Sequence, residues 1–265
     1  MPEKNQKLSE MLVQLIGLRF PPVAVKMVGT EEAEPAGAER PMRDWGKHIA
    51  LCQAFAFARR QGKTIYMEKK DHWCWNPILT YGLIDKELGR AGFRAMNRSL
   101  GAPEEQSDSF VEGFPYLPSG RYRGTLAAPL DKADFEPDVT LIYCKNDQLR
   151  VLLMAIDSQT HAMLESSFTP FDSCTYSVVP AMLEGKYRVT IPDPGEYERG
   201  LTPEDDIILS VPKQRAEEFR RGVERQLRAG GRAAFYPTMK EEFPQPAIYR
   251  PLFETWGLYD EAEKG

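Results

Sequence analysis

The 265-residue chain lacks the features that assign many proteins to a class at sight. Its longest uninterrupted apolar runs are only a few residues, far below the roughly 20 needed to span a bilayer, so no membrane protein is expected. It has no dense Lys/Arg tract, and 34 basic against 39 acidic residues leave a net charge of −5. Nucleic-acid binding, which draws on a basic surface, is not expected either. The first residues, Met1 to Lys7, hold no apolar core behind a basic segment, so a secretory signal is not read and a cytoplasmic location is expected. Gly-x-Gly-x-x-Gly, Walker A, HExxH and Gly-x-Ser-x-Gly sequences do not occur, which argues against the commonest nucleotide, zincin and hydrolase chemistries. Cysteine is scarce: Cys52, Cys74, Cys144 and Cys174, none in a CxxC pair. That spacing excludes a zinc ribbon, a thioredoxin motif and a ferredoxin cluster run. In a cytosolic setting these are reduced thiols.

What is present reads as an ordinary globular chain, 42% hydrophobic and 28% charged. Leu8, Met11, Leu12, Leu15 and Ile16 repeat at helical spacing and predict a helix over 7–18, stopped by Phe20-Pro21-Pro22. Strand character marks 23–28, 63–67, 121–126, 139–144, 187–191 and 206–211. Helical composition marks 49–60, 148–164 and 213–228, whereas 92–118 mixes a short helix with loop chemistry. These segments predict one compact α/β unit over 1–265: a mixed sheet with flanking helices, closed by the helix at 213–228. An aromatic tail over 232–265 is expected to wrap the core.

One pattern occurs twice. Cys52 leads apolar, helix-like sequence into Gly62-Lys63 and a strand, and Cys174 leads similar sequence into Gly185-Lys186 and a strand. A strand candidate precedes each unit. Two similar halves, 20–100 and 120–212, are the candidate products of an internal duplication.

Pro22-Val23-Ala24-Val25-Lys26, the Cys52 and Gly62-Lys63 unit, Cys74, and Pro192-Asp-Pro-Gly-Glu-Tyr-Glu-Arg199 before the strand ending at Pro212 occur in a telling order. Together they resemble the domain of unknown function 169 family, also called the archaeal conserved region family, from about Leu8 to about Leu227. The resemblance implies kinship with proteins of archaea and anaerobic bacteria and supplies no settled reaction. Relatives often carry small residues after the cysteine at 74, where this chain sets it between Trp73 and Trp75. Those indoles are candidate cofactor contacts, able either to cover or to exclude a group approaching the thiol.

The sharpest chemical candidate is a thiolate site of Cys52, Cys74 and Cys174, with Cys144 or His72 as a fourth ligand. Cysteines at helix starts are expected to have lowered pKa values, and thiolate is the metal-binding form. Sulfur-rich coordination suits an iron–sulfur cluster or zinc, and the motifs leave haem open. Asp71 beside His72 is a candidate orienting carboxylate. The Asp193, Glu196, Glu198 and Arg199 run reads first as turn chemistry, with cation binding as its other reading. The leading expectation is a cysteine-ligated metal or iron–sulfur redox protein of anaerobic metabolism. The alternatives are a non-enzymatic module that binds a small molecule or cofactor, and a subunit acting as a homo-oligomer or within a larger complex.

Overall fold

The computed structural model describes residues 2–101, 103–161, 163–230 and 246–257. Contacts divide the chain into units 1–232 and 233–265. In the first unit, α1 (Pro2–Ile16) presents the predicted apolar stripe, and Leu12, Leu15 and Ile16 are fully buried. Strand β1 (Val23–Gly29) follows, then α2 (Leu51–Gln61), β2 (Ile65–Glu68), α3 (Trp75–Thr80), α4 (Lys86–Leu100), α5 (Glu104–Glu112) and β3 (Tyr122–Pro129). The chain continues through β4 (Val139–Lys145), α6 (Asn146–Thr160), α7 (Ser173–Glu184), β5 (Arg188–Thr190), α8 (Pro194–Glu198), β6 (Asp206–Pro212) and α9 (Ala216–Arg228). This is an α/β fold.

Among the described residues, six strands form one open sheet in the order β2-β3-β1-β4-β6-β5. Its ladders are all antiparallel, and parallel pairing is confined to two isolated bridges, Glu39 with Ile65 and Ile49 with His72. The expected mixed sheet is therefore mixed only at these two points. Successive side chains on a strand face opposite ways, and both faces of this sheet are covered. Ala24, Ile142 and Leu209 meet α1, α6 and α9, while Val25, Leu141 and Ile208 meet α2 and α7. On the first face α6 and α9 cross very closely: a β-carbon on Gly222 would lie 2.1 Å from the Ala155 carbonyl oxygen.

The strand order reads symmetrically about the β1–β4 seam, with β2-β3-β1 on one side and β5-β6-β4 on the other. In each half the helix that precedes the edge strand, α2 or α7, ends on a left-handed glycine, Gly62 at φ +70° or Gly185 at φ +62°, although the second half carries α6 as well between β4 and α7. A lysine and an edge strand follow in both. The residue after each third strand donates its N–H to the residue before the first strand: Leu130 to Pro22 at 2.8 Å, and Lys213 to Asp138 at 2.8 Å. Strand β3 pairs with both β1 and β2, so the three strands on that side of the seam run as far as Pro129.

Two helices replace the single short one expected over 92–118. Gly89, Gly92 and Gly101 lower the apparent helix propensity there. Ion pairs and aromatic contacts compensate: Arg94 donates to Asp108 at 2.9 Å, and Trp75 meets Phe93 edge-on at 4.8 Å between centroids. The second unit contains a short helix, α10 (Arg250–Thr255), with no buried residue. Most of the expected wrapping tail lies outside the described residues.

Candidate functional site

Four helix starts carry the candidate chemistry. Cys52 is the second residue of α2 and Cys174 the second residue of α7, so the repeated Cys-helix-Gly-Lys pattern has the same local structure both times. Cys74 sits immediately before α3, and Asp193 immediately before α8.

Hydrogen bonds tie these starts together. The Asp71 carboxylate, fully buried, accepts from Glu68 N–H at 2.8 Å, Met42 N–H at 3.1 Å and Arg40 Nη2 at 3.1 Å. This fixes the loop leading to Cys74, while Ile49 N–H to Asp71 O (3.1 Å) and Trp73 N–H to Ile49 O (2.8 Å) strap it to the residues before α2. In the second half Asp193 spans the equivalent gap. Its Oδ2 accepts from Ser173 N–H at the start of α7 and its Oδ1 from Glu196 N–H in α8, both at 2.9 Å. Across the halves, Tyr81 Oη donates to Cys174 O at 2.7 Å, the Thr80 and Thr175 hydroxyls meet at 2.8 Å, and Thr175 also bonds Asn76 Oδ1. Cys52 Sγ lies 3.5 Å from Gly195 O. Three thiols from separate segments thus share one neighbourhood, and the Arg199 guanidinium joins them beside Cys52, its centre 5.1 Å from the Trp73 ring centroid.

Burial governs the charge state of the thiols. It pushes Cys52 up to about 12, with the nearby Glu196 carboxylate adding to the effect, and it raises Cys74. Cys174 is held well above the ordinary thiol range by burial first and then by Cys52, Asp193, Cys74 and Glu196. The lowered pKa expected at helix starts is therefore overturned: loss of water outweighs the helix field, and the resting groups are neutral thiols.

Cys144 lies elsewhere. It alternates with Tyr143 along β4 and packs in the core facing α1, α6 and α9, on the sheet face opposite Cys174. His72 is buried, and burial lowers it to about 4. Neither ring nitrogen has a hydrogen-bond partner among the described residues, and the neighbouring Asp71 carboxylate is engaged by Arg40 instead of orienting the ring. The two indoles diverge. Trp73 is 64% exposed beside Arg199, while Trp75 joins Phe93, Phe110 and Phe114 at the edge of an apolar groove of about 310 Å³. Among the described residues, no group of three or more His, Cys, Asp or Glu side chains lies close enough to hold a metal ion.

Sequence reasoning missed a buried network beside the thiols. Glu196 is completely enclosed; Tyr143 Oη donates to its Oε1 and Thr202 Oγ1 to its Oε2, each at 2.8 Å. Arg59 donates to Thr202 Oγ1 at 2.6 Å and lies 3.9 Å over the Tyr143 ring. Burial lifts Glu196 to about 7, opposed by Arg59, Tyr143 and Thr202. The Asp-Pro-Gly-Glu run is thus more than a turn. The one signal in the sequence was a Glu placed between two prolines and an Ile-rich strand.

Buried polar atoms without partners gather around the same place. Asn76 Nδ2, Ser173 Oγ and Arg199 Nε have none among the described residues. Such atoms are costly to leave unpaired.

Among the described residues, no helix is long and apolar enough to cross a membrane. No curated protein and no solved structure matches the chain. Residues 11–221 match the DUF169 family, described as uncharacterised ArCR, and the chain belongs to that family.

Proposed function

We propose that the chain is a cysteine-ligated iron–sulfur redox protein whose cluster is held by Cys52, Cys74 and Cys174. What supports this reading is that Cys52, Cys74 and Cys174 stand at three helix starts that hydrogen bonds tie to one another; among the described residues they are not close enough to hold an ion as folded, so the reading requires them to draw together on loading. Sulfur-rich ligation suits an iron–sulfur cluster. Neutral resting thiols mean that loading releases protons and is favoured by rising pH. A reducing, cytoplasmic setting keeps the thiols available.

Anaerobic purification after expression with iron supplied tests the reading through the absorption spectrum and iron and sulfide content. Cys52→Ala and Cys174→Ala are expected to lower bound iron severalfold, whereas Cys144→Ala, on the other sheet face, leaves it unchanged. Colourless, iron-free protein under these conditions overturns the proposal.

The unpartnered Asn76, Ser173 and Arg199 atoms favour one further reading, a module that binds a small polar molecule or cofactor. Under that reading a ligand raises the melting temperature and the cysteine variants still bind it.

A further inference from the structure

Helix α4 turns arginines inward and leaves apolar residues in solvent. Arg94 Nε donates to Asp108 Oδ1 of α5 at 2.9 Å, and Arg90 pairs with Glu112 of the same helix. Between Glu87 and Arg98 the exposed residues of α4 are Leu88, Ala91, Gly92, Ala95 and Met96, and Leu100 follows. Leu88 is 62% and Leu100 73% exposed. A helix bordering water ordinarily shows the reverse pattern. Leu88, Gly92 and Met96 also line the apolar groove beside Trp75, so a body laid along this row covers the mouth of the groove.

Gly92 sharpens the point, because glycine weakens a helix interior. Gly89 has a reason within the fold: a β-carbon there would lie 2.4 Å from Leu79 Cδ1. A β-carbon on Gly92 would meet nothing within 4 Å, so its missing side chain serves no contact among the described residues. It permits a close backbone approach from outside.

The charges at the two ends of the face point to the occupant. Glu87, Ala91, Ala95 and Arg98 follow one flank of α4 at i, i+3 and i+4 spacing. Glu87 and Arg98 are 98 − 87 = 11 residues apart. That separation is about 16 Å along a helix, too far for the two to pair with each other. When the same helix is laid antiparallel on itself near Gly92, Glu87 of each meets Arg98 of the other, Ala91 faces Ala95, and Leu88 faces Met96. The Glu87 carboxylate, 71% exposed, is bonded by Arg90 of its own helix and keeps lone pairs for a second cation.

We infer that this face binds a second copy of the chain, with α4 packed antiparallel on its counterpart about a two-fold axis near Gly92. The pattern is self-complementary, as a two-fold interface requires. Antiparallel packing also sets the positive end of each helix beside the negative end of the other. This inference is independent of the iron–sulfur reading.

Sedimentation velocity of the full chain from about 1 to about 100 µM tests it, with dimer expected to accumulate across that range. Leu88→Glu, at an exposed position, is expected to raise the dissociation constant about tenfold or more while the circular dichroism spectrum stays that of wild type. Glu87→Arg and Arg98→Glu are each expected to weaken the dimer about threefold to tenfold, and the two together to restore it. A chain that stays monomeric throughout overturns the inference and leaves the face to a different partner. A dimer indifferent to Leu88→Glu overturns it by placing the contact elsewhere. A double variant no stronger than the singles overturns the antiparallel pairing.

Discussion

The two halves of the sheet repeat one order of elements, yet they anchor their site residues by different chemistry. In the first half, the loop to Cys74 is held by a buried carboxylate, Asp71, facing Arg40 and two backbone N–H groups. In the second half, Asp193 lies at the site itself and bonds two backbone N–H groups, with no side-chain cation among its hydrogen-bond partners in the described residues. Their titrating groups also oppose each other. His72 in the first half is buried as a neutral base, and Glu196 in the second is buried as a carboxyl that holds its proton to about 7. The strand order is alike on the two sides of the seam, while the groups that anchor the site residues differ.

The largest effect that sharpens this comparison is expected from Asp71→Ala, which leaves two N–H groups without their buried acceptor and takes one of three carboxylates, beside Glu34 and Glu68, from the Arg40 guanidinium. A loss of about 3–5 kcal/mol in urea denaturation is expected. Asp193→Ala removes N–H acceptors without leaving a buried cation and should cost only about 1–2 kcal/mol in the metal-free chain. Equal losses would break the contrast.

Next come the pH slopes of the metal-free protein. Folded His72 takes a proton only near 4 against an ordinary 6.5, so its stabilisation is complete above 6.5 and is lost as pH falls. Folded Glu196 keeps its proton to about 7 against an ordinary 4.5, so its stabilisation is complete below 4.5 and is lost as pH rises. Between 4.5 and 6.5 the two oppose each other. Relative to wild type, His72→Phe should make stability fall more steeply with rising pH, and Glu196→Gln should make it climb more steeply. Each change is limited to about 1.4 kcal/mol per pH unit. Parallel curves for both variants would remove the opposition.

The smallest expected effect is a matched one. Gly62→Ala and Gly185→Ala each force a side chain into the left-handed region and should each cost about 1 kcal/mol by thermal denaturation. A disparity well beyond that would mean the two helix ends are not equivalent.

Much of this frame was legible in the sequence, because it rests on local signals. The Cys-helix-Gly-Lys repeat, the β-branched run at 139–144 and the helical stripe at 8–16 all reappear as elements. The faces were not legible: alternation separates Tyr143 from Cys144 but does not say which of them meets α7. The Arg59–Thr202–Glu196–Tyr143 network joins residues as far as 143 positions apart, and only Glu196, set behind two prolines, carries any local mark. The charge state of the thiols was also hidden, because desolvation depends on what the rest of the chain packs over them.

The β1–β4 ladder joins three residue pairs, Val23 with Leu141, Ala24 with Thr140 and Val25 with Val139, against seven pairs in each of its neighbours, β1–β3 and β4–β6. The sheet is thus held by fewer rungs at its centre than on either side, and opening of its backbone amides to solvent is expected to begin there.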